Sequence, residues 1–126
     1  MGETRLAGTC WKLNAFRRGD SITPVVPGVD LTLRFDGAGG VGGFGGRSAF
    51  RAVYEEGDGE ISIRRLEASG PDLPGSAEQE ARFFAGLLDA VRFKALEGQL
   101  LLSWNHGREA LLFEAAPLRR PQVAVS

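Results

Sequence analysis

SAEQEARFFAGLLDAV, residues 76–91, is the stretch whose reading decides how this chain folds. It predicts a helix. Ser76 is placed to cap the first turn, and Gln79 stands three residues on, where a capping box requires it. Glu78 and Glu80 put negative charge at the positive end of the helix dipole. Ala77, Ala81, Phe84, Leu88 and Val91 recur at helical spacing, with Leu87 widening the stripe, so this face is expected to be buried. Gly86 is an internal cost of about 1 kcal/mol relative to alanine. A stripe of this kind needs a cover, and the short alternating segments on either side are what the chain offers.

Outward from the helix, the pattern is that of strands. Trp11, Leu13 and Ala15 alternate with Lys12 and Asn14, predicting a strand over residues 8–16. Arg17-Arg18-Gly19-Asp20 reads as a turn, and residues 21–29, with Pro24, Pro27 and Gly28, as a loop or edge segment. Leu31, Leu33 and Phe35 share one face of a second strand, which Asp36-Gly37 closes. Eight of the ten residues 37–46 are glycine or alanine, leaving Val41 and Phe44 as the large side chains. A third strand over residues 49–55 carries Phe50, Ala52 and Tyr54 on one face. Asp58-Gly59 is a hairpin signal, and Ile61 and Ile63 mark the fourth strand. Gly70, Pro71, Pro74 and Gly75 form the loop before the helix. Beyond it, Phe93 and Ala95 lead to a turn at Glu97-Gly98. Leu100, Leu102 and Trp104 make a strand, Asn105-His106-Gly107-Arg108 a turn, and Leu111 and Phe113 the last strand. Tight turns between strands imply antiparallel neighbours. The expected fold is mainly β (α+β): a curved antiparallel sheet or small β-barrel with one packed helix.

Composition narrows the function classes. The length of 126 residues suits one domain with one core. At 43% hydrophobic residues the chain can fill that core, so it is not of the disordered class. A net charge of −1 gives no global argument for nucleic acid or an anionic membrane. No apolar run is long enough to span a bilayer. Residues 1–9 lack the apolar core of a signal peptide, and Leu6 stands where a myristoylation signal needs Ser or Thr. The expectation is a cytoplasmic protein, or an exported one if a leader has been removed. Cys10 is the one cysteine, so no internal disulfide forms.

Several blocks, in order, resemble the META domain, the family of the bacterial heat-inducible protein HslJ. Leu6-Ala7-Gly8-Thr9-Cys10-Trp11-Lys12-Leu13 is similar to its opening Gly-Thr-Trp-x-Leu strand, with one residue inserted. Leu31-Thr32-Leu33-Arg34-Phe35-Asp36 resembles its second block, and Pro74-Gly75-Ser76-Ala77-Glu78-Gln79-Glu80 the segment before its helix. Residues 83–87 and the closing hairpin of residues 100–113 follow in family order. The family often carries Gly-Cys-Asn-x-Tyr/Phe-x-Gly-x-Tyr after its glycine-rich strand. Here that run is Gly46-Arg47-Ser48-Ala49-Phe50-Arg51-Ala52-Val53-Tyr54, with Arg47 at the cysteine position and Ser48 at the asparagine position. A second family cysteine would fall near Leu73, so any role that used the two is absent here. The resemblance covers a core of about residues 6–114; with the length it gives one META-like domain over residues 1–126, and Pro117, Arg119, Arg120 and Pro121 make residues 115–126 a loose tail. The resemblance also implies a barrel-like fold, no established catalytic residues, and a link to stress response and, in some bacteria, antibiotic tolerance.

Each chemically suggestive residue has a plainer reading. Gly37-Ala38-Gly39-Gly40-Val41-Gly42 matches G-x-G-x-x-G after a strand, but no helix follows to receive a pyrophosphate. A glycine-rich hairpin that lets a sheet curl is the better reading. His106, the one histidine, lies in a turn without a recognisable nucleophile or carboxylate partner. Cys10 reads as a buried structural cysteine, on the opposite face from Trp11. Glu55, Glu56, Asp58 and Glu60 crowd a hairpin tip but lack the ligand order of a calcium loop. Arg17-Arg18, Arg64-Arg65 and Arg119-Arg120 read as solvated pairs. Phe44, Phe50, Tyr54 and Trp104 read as core or edge packing rather than a base-stacking platform.

No catalytic, cofactor-binding or metal-binding residue is assigned, and no cofactor is expected. The expected function is a non-enzymatic, stress-related interaction module. It would engage another protein through an exposed strand edge or the glycine-rich segment, without nucleic acid. The alternative is a carrier of a small apolar ligand, since Gly8-Thr9-Cys10-Trp11 also resembles the Gly-x-Trp strand of lipocalins and fatty-acid-binding proteins.

Overall fold

Alternation of apolar and polar residues along short segments builds an antiparallel sheet that curls until its ends meet. A computed structural model of the protein describes residues 6–26, 30–69 and 77–116. Within these, the strands are β1 (Cys10–Arg18), β2 (Ser21–Pro24), β3 (Thr32–Phe35), β4 (Gly40–Phe44), β5 (Ala49–Gly57), β6 (Glu60–Ser69), β7 (Arg92–Leu96), β8 (Gln99–Trp104) and β9 (Glu109–Ala115). The helix α1 (Ala77–Asp89) joins β6 to β7. The sheet order is β2-β1-β3-β4-β5-β6-β7-β8-β9, every pairing antiparallel, and β1 also pairs with β9. One side of β1 runs along β9; its other side is shared by β3 at Cys10 to Lys12 and by β2 at Ala15 to Arg18. The sheet therefore nearly closes into a ring, with β2 as a short exposed flap.

The hairpins follow from turn chemistry. Asp58 and Gly59 adopt φ of 43° and 81°, and Glu97 and Gly98 adopt 50° and 82°, the left-handed pairs that a two-residue hairpin turn requires. Inward residues fill the ring. Leu13, Leu33, Phe35, Phe50, Ile63, Leu100, Leu102, Leu111 and Phe113 are buried together with Phe83 and Leu87 of α1. Phe83 packs against Phe50 and Phe113 at ring-centroid distances of 5.8 and 6.3 Å, tying the helix to strands on both sides of the core.

The ring is weakest between β6 and β7, which share the single register pair Glu60 and Arg92. Two backbone hydrogen bonds flank it: Ile61 N–H donates to Val91 O and Phe93 N–H to Gly59 O. α1 packs against β6, β8 and β9, covering this opening.

The helix does not bury the face that its spacing predicts. Phe83, Gly86, Leu87 and Ala90 point inward, whereas Leu88 and Val91 are about half exposed and Ala77 and Ala81 are exposed. Phe84 is half-buried beside Phe50. Tandem Phe83-Phe84 and Leu87-Leu88 give two stripes one residue apart, and spacing cannot separate them. Gly86 favours the inward one: a Cβ there would crowd Trp104 at 3.0 Å and Leu111 at 3.2 Å. The residue read as a cost is the one that lets α1 approach β8 and β9. The capping role of Ser76 and the loop at residues 70–75 lie outside the described residues.

Other bounds shift modestly. Arg17 and Arg18 belong to β1, leaving Gly19-Asp20 as the turn. The segment after it forms the edge strand β2 over its first four residues.

Candidate functional site

The most notable concavity is an open groove of about 990 Å³ on the outer face of β3, β4, β5 and β6, reaching Cys10 of β1. It arises from glycine placement. Val41, Phe50 and Ala52 turn into the core, so Gly40, Gly42, Arg51 and Val53 turn outward. Register aligns Cys10, Arg34, Gly42, Arg51 and Glu67 in one row across five strands. Gly42 leaves a gap in the middle of that row. Its neighbours fix the identity: a Cβ at Gly42 would lie 2.8 Å from Phe50 O, and one at Gly43 would collide with Thr32 O. β4 is pressed between its neighbours so closely that a side chain cannot enter.

Arg34, Arg51 and Arg65 stand around this floor, with Glu67 and Asp36 also on the lining. Arg65 is held unusually. Between the pairs Arg51–Glu67 and Val53–Arg64, β6 has two residues where β5 has one. Arg65 is the first of those two, at φ 59°, the position of a β-bulge that favours glycine.

Asp36 shapes the end of the groove. Its Oδ1 accepts hydrogen bonds from Ala38 N–H at 2.7 Å and Gly40 N–H at 2.9 Å. These amides, with Arg34 nearby, hold its carboxyl below the usual aspartate value. The same contacts account for the G-x-G-x-x-G match. Amides of Ala38 and Gly40 face Asp36, and the chain continues into β4 rather than a helix. Behind this turn, Tyr54 is buried against Phe35, and burial, with Glu56 and Asp36 adding, pushes its phenol up.

A second carboxylate fixes the other end of β4. Glu80 Oε2 accepts hydrogen bonds from Arg47 N–H at 3.0 Å, Ser48 N–H at 2.8 Å and Ser48 Oγ–H at 3.0 Å. Gly45 makes room, since a Cβ there would lie 2.8 Å from Phe84. Gln79 Oε1 accepts from Val26 N–H at 2.9 Å. The first turn of α1 thus anchors two loops.

The remaining residues singled out from sequence are dispersed. His106 sits exposed in the β8–β9 turn at φ 57°, with no hydrogen bond or ion pair among the described residues. Cys10 is not fully buried as expected: it is partly buried and turned to the outer face, because Trp11 takes the inward position. Glu56 accepts from Leu6 N–H, and Glu55 pairs with Arg64. Among the described residues no three His, Cys, Asp or Glu side chains gather as metal ligands would. Arg17 donates to Gly107 O and Arg18 pairs with Glu109, while Arg119 and Arg120 lie outside the described residues. Phe50 and Tyr54 are core residues, and Phe44 and Trp104 are half-buried. The groove arginines escaped the sequence reading. Arg34 and Arg51 are ordinary polar positions of alternating strands until register sets them either side of Gly42.

The family model of the META domain matches residues 4–117. The chain belongs to the META domain family. Two solved structures share its fold. One is the NMR structure of a protein from Burkholderia xenovorans, with a TM-score of 0.72 and 22% identity, covering 88% of this chain and 83% of that one. The other is the crystal structure of a DUF4847 family protein from Bacteroides vulgatus, with a TM-score of 0.67 and 14% identity, covering 86% of this chain and 93% of that one. No curated protein matches the sequence. No helix of this META domain, among the described residues, is long and apolar enough to cross a membrane.

Proposed function

We propose that this META domain is a non-enzymatic interaction module, in the stress-related setting that the family resemblance implies, and that it engages a partner protein through the outer groove. The observation that carries this reading is the groove itself: a long concavity floored by glycines that backbone contacts dictate, on a sheet whose other face is committed to the core. Of the two surfaces expected from sequence, the edge of β2 is the weaker, being four residues long and ending in Pro24. Catalysis finds little support, because among the described residues no nucleophile is hydrogen-bonded to a base in the groove. The carrier alternative needs a cavity of roughly 300 Å³ or more. Large side chains, Phe35, Phe50 and Phe83 among them, occupy the space inside the ring where such a ligand would sit.

The test is site-resolved cross-linking in cells. A photo-reactive residue replacing Val53, on the groove wall, is compared with one replacing Leu96 on β7. A discrete adduct from position 53 and none from position 96 is expected. Equal, diffuse labelling from both positions would count against the proposal.

A further inference from the structure

We propose that the groove takes an extended acidic segment of the partner, its carboxylates seated on Arg34, Arg51 and Arg65; this rests on the groove being the interaction surface. The first argument is register. Arg34 and Arg51 each lie one strand from Gly42, so their Cα atoms are about 9–10 Å apart with no side chain between them. Each guanidinium can pair bidentately with one carboxylate, and the glycine between the two arginines adds no side chain to the step over β4.

The second argument is the state of the charges. The side chains of Arg34, Arg51 and Arg65 make no hydrogen bond or ion pair within the described residues, although Glu67 stands opposite Arg51. Asp36 is near enough to Arg34 to feel its charge, but the two form no ion pair. Unpaired arginines occur elsewhere on the surface; these three converge on one concavity. The third argument is Arg65 itself. A long cationic residue occupies a left-handed bulge position that glycine would fill without strain, and it lines the groove.

Size selects a segment over a free anion. From β1 to β6 the groove crosses four strand spacings, about 19 Å, the length of roughly six extended residues. A single phosphate would leave most of it empty. Glu67 and Asp36 at the margins disfavour acid there, so the segment carries its carboxylates centrally and a neutral or basic residue over Glu67.

The test uses the full chain and labelled octapeptides with Glu at three central positions and Gly elsewhere, with Gln and Lys counterparts. Binding is followed by anisotropy and mapped by amide shifts. The Glu peptide is expected to bind, to weaken with salt, to shift Arg34, Gly42, Arg51 and Arg65, and to slow thiol labelling of Cys10. Arg34→Gln with Arg51→Gln should weaken it about tenfold or more. Arg65→Gly should weaken it severalfold while the protein melts at the same or a higher temperature, which separates lost contact from lost folding. Equal binding of Glu and Gln peptides, wild-type affinity in the variants, or shifts outside the groove would overturn the acidic-segment proposal. A thymidine oligonucleotide or tripolyphosphate binding more tightly than the Glu peptide would also overturn it. In each case a discrete cross-link from position 53 would leave the interaction-module reading standing.

Discussion

Asp36 shows how one side chain can set a turn and a titration together. By accepting two amide protons on one oxygen it closes the β3–β4 turn, and those amides favour the ionised form. The folded carboxyl therefore holds its proton less readily than the unfolded one, whose ordinary value is 3.8. The stabilisation is complete above that value and fades as pH falls through the lower folded value. An asparagine in its place would keep an acceptor for the turn but cannot titrate. Urea unfolding of wild type and Asp36→Asn from pH 7 to pH 3 should show the wild type losing stability relative to the variant below about pH 4. Curves that stay parallel would mean the amide contacts do not hold the charge. The Asp36-Gly37 turn was legible in the sequence because it is local. The Glu80 clamp was not, because its donors Arg47 and Ser48 are more than thirty residues away. Two backbone amides and the Ser48 hydroxyl, meeting one carboxylate, fasten that loop to the helix.

At the scale of the element, α1 separates what periodicity can say from what packing decides. The existence and approximate ends of the helix were readable from its charges and spacing. Its rotation was not, because Phe83-Phe84 and Leu87-Leu88 support two stripes equally. The close approach at Gly86 is consistent with the inward face the helix adopts. Leu87 is fully buried and Leu88 is 48% exposed. Leu87→Ala should therefore cost about 2–5 kcal/mol, by lost transfer energy and the cavity left behind. Leu88→Ala should stay within about 0.5 kcal/mol. Thermal or urea unfolding of the two variants distinguishes the stripes, and the reverse order would mean the helix is seated on its other face.

At the scale of the molecule, tight turns disclosed antiparallel neighbours, but ring closure pairs Trp11 with Ala115, and no local signal joins residues that far apart. The groove was hidden for the same reason, since its row draws one residue from each of five strands. Closure is also uneven, and this has a dynamic consequence. β1 and β9 pair along seven register positions, from Trp11–Ala115 to Arg18–Glu109, whereas β6 and β7 meet at one. Opening the β6–β7 seam breaks few hydrogen bonds, and the apolar cost falls mainly on the contacts of α1. The lowest-energy partial unfolding should thus part β6 from β7 while β1–β9 and β5–β6 stay paired. Native-state hydrogen exchange should find the Ile61 and Phe93 amides, which donate across the seam, exchanging at a lower free energy than amides of the β1–β9 ladder. Leu87→Ala should lower all of them, because α1 supports the core as well as the seam. If Ile61 and Phe93 exchange only with global unfolding, the helix and β7 belong to one cooperative unit with the ring, and the seam is a gap in pairing without being a gap in stability.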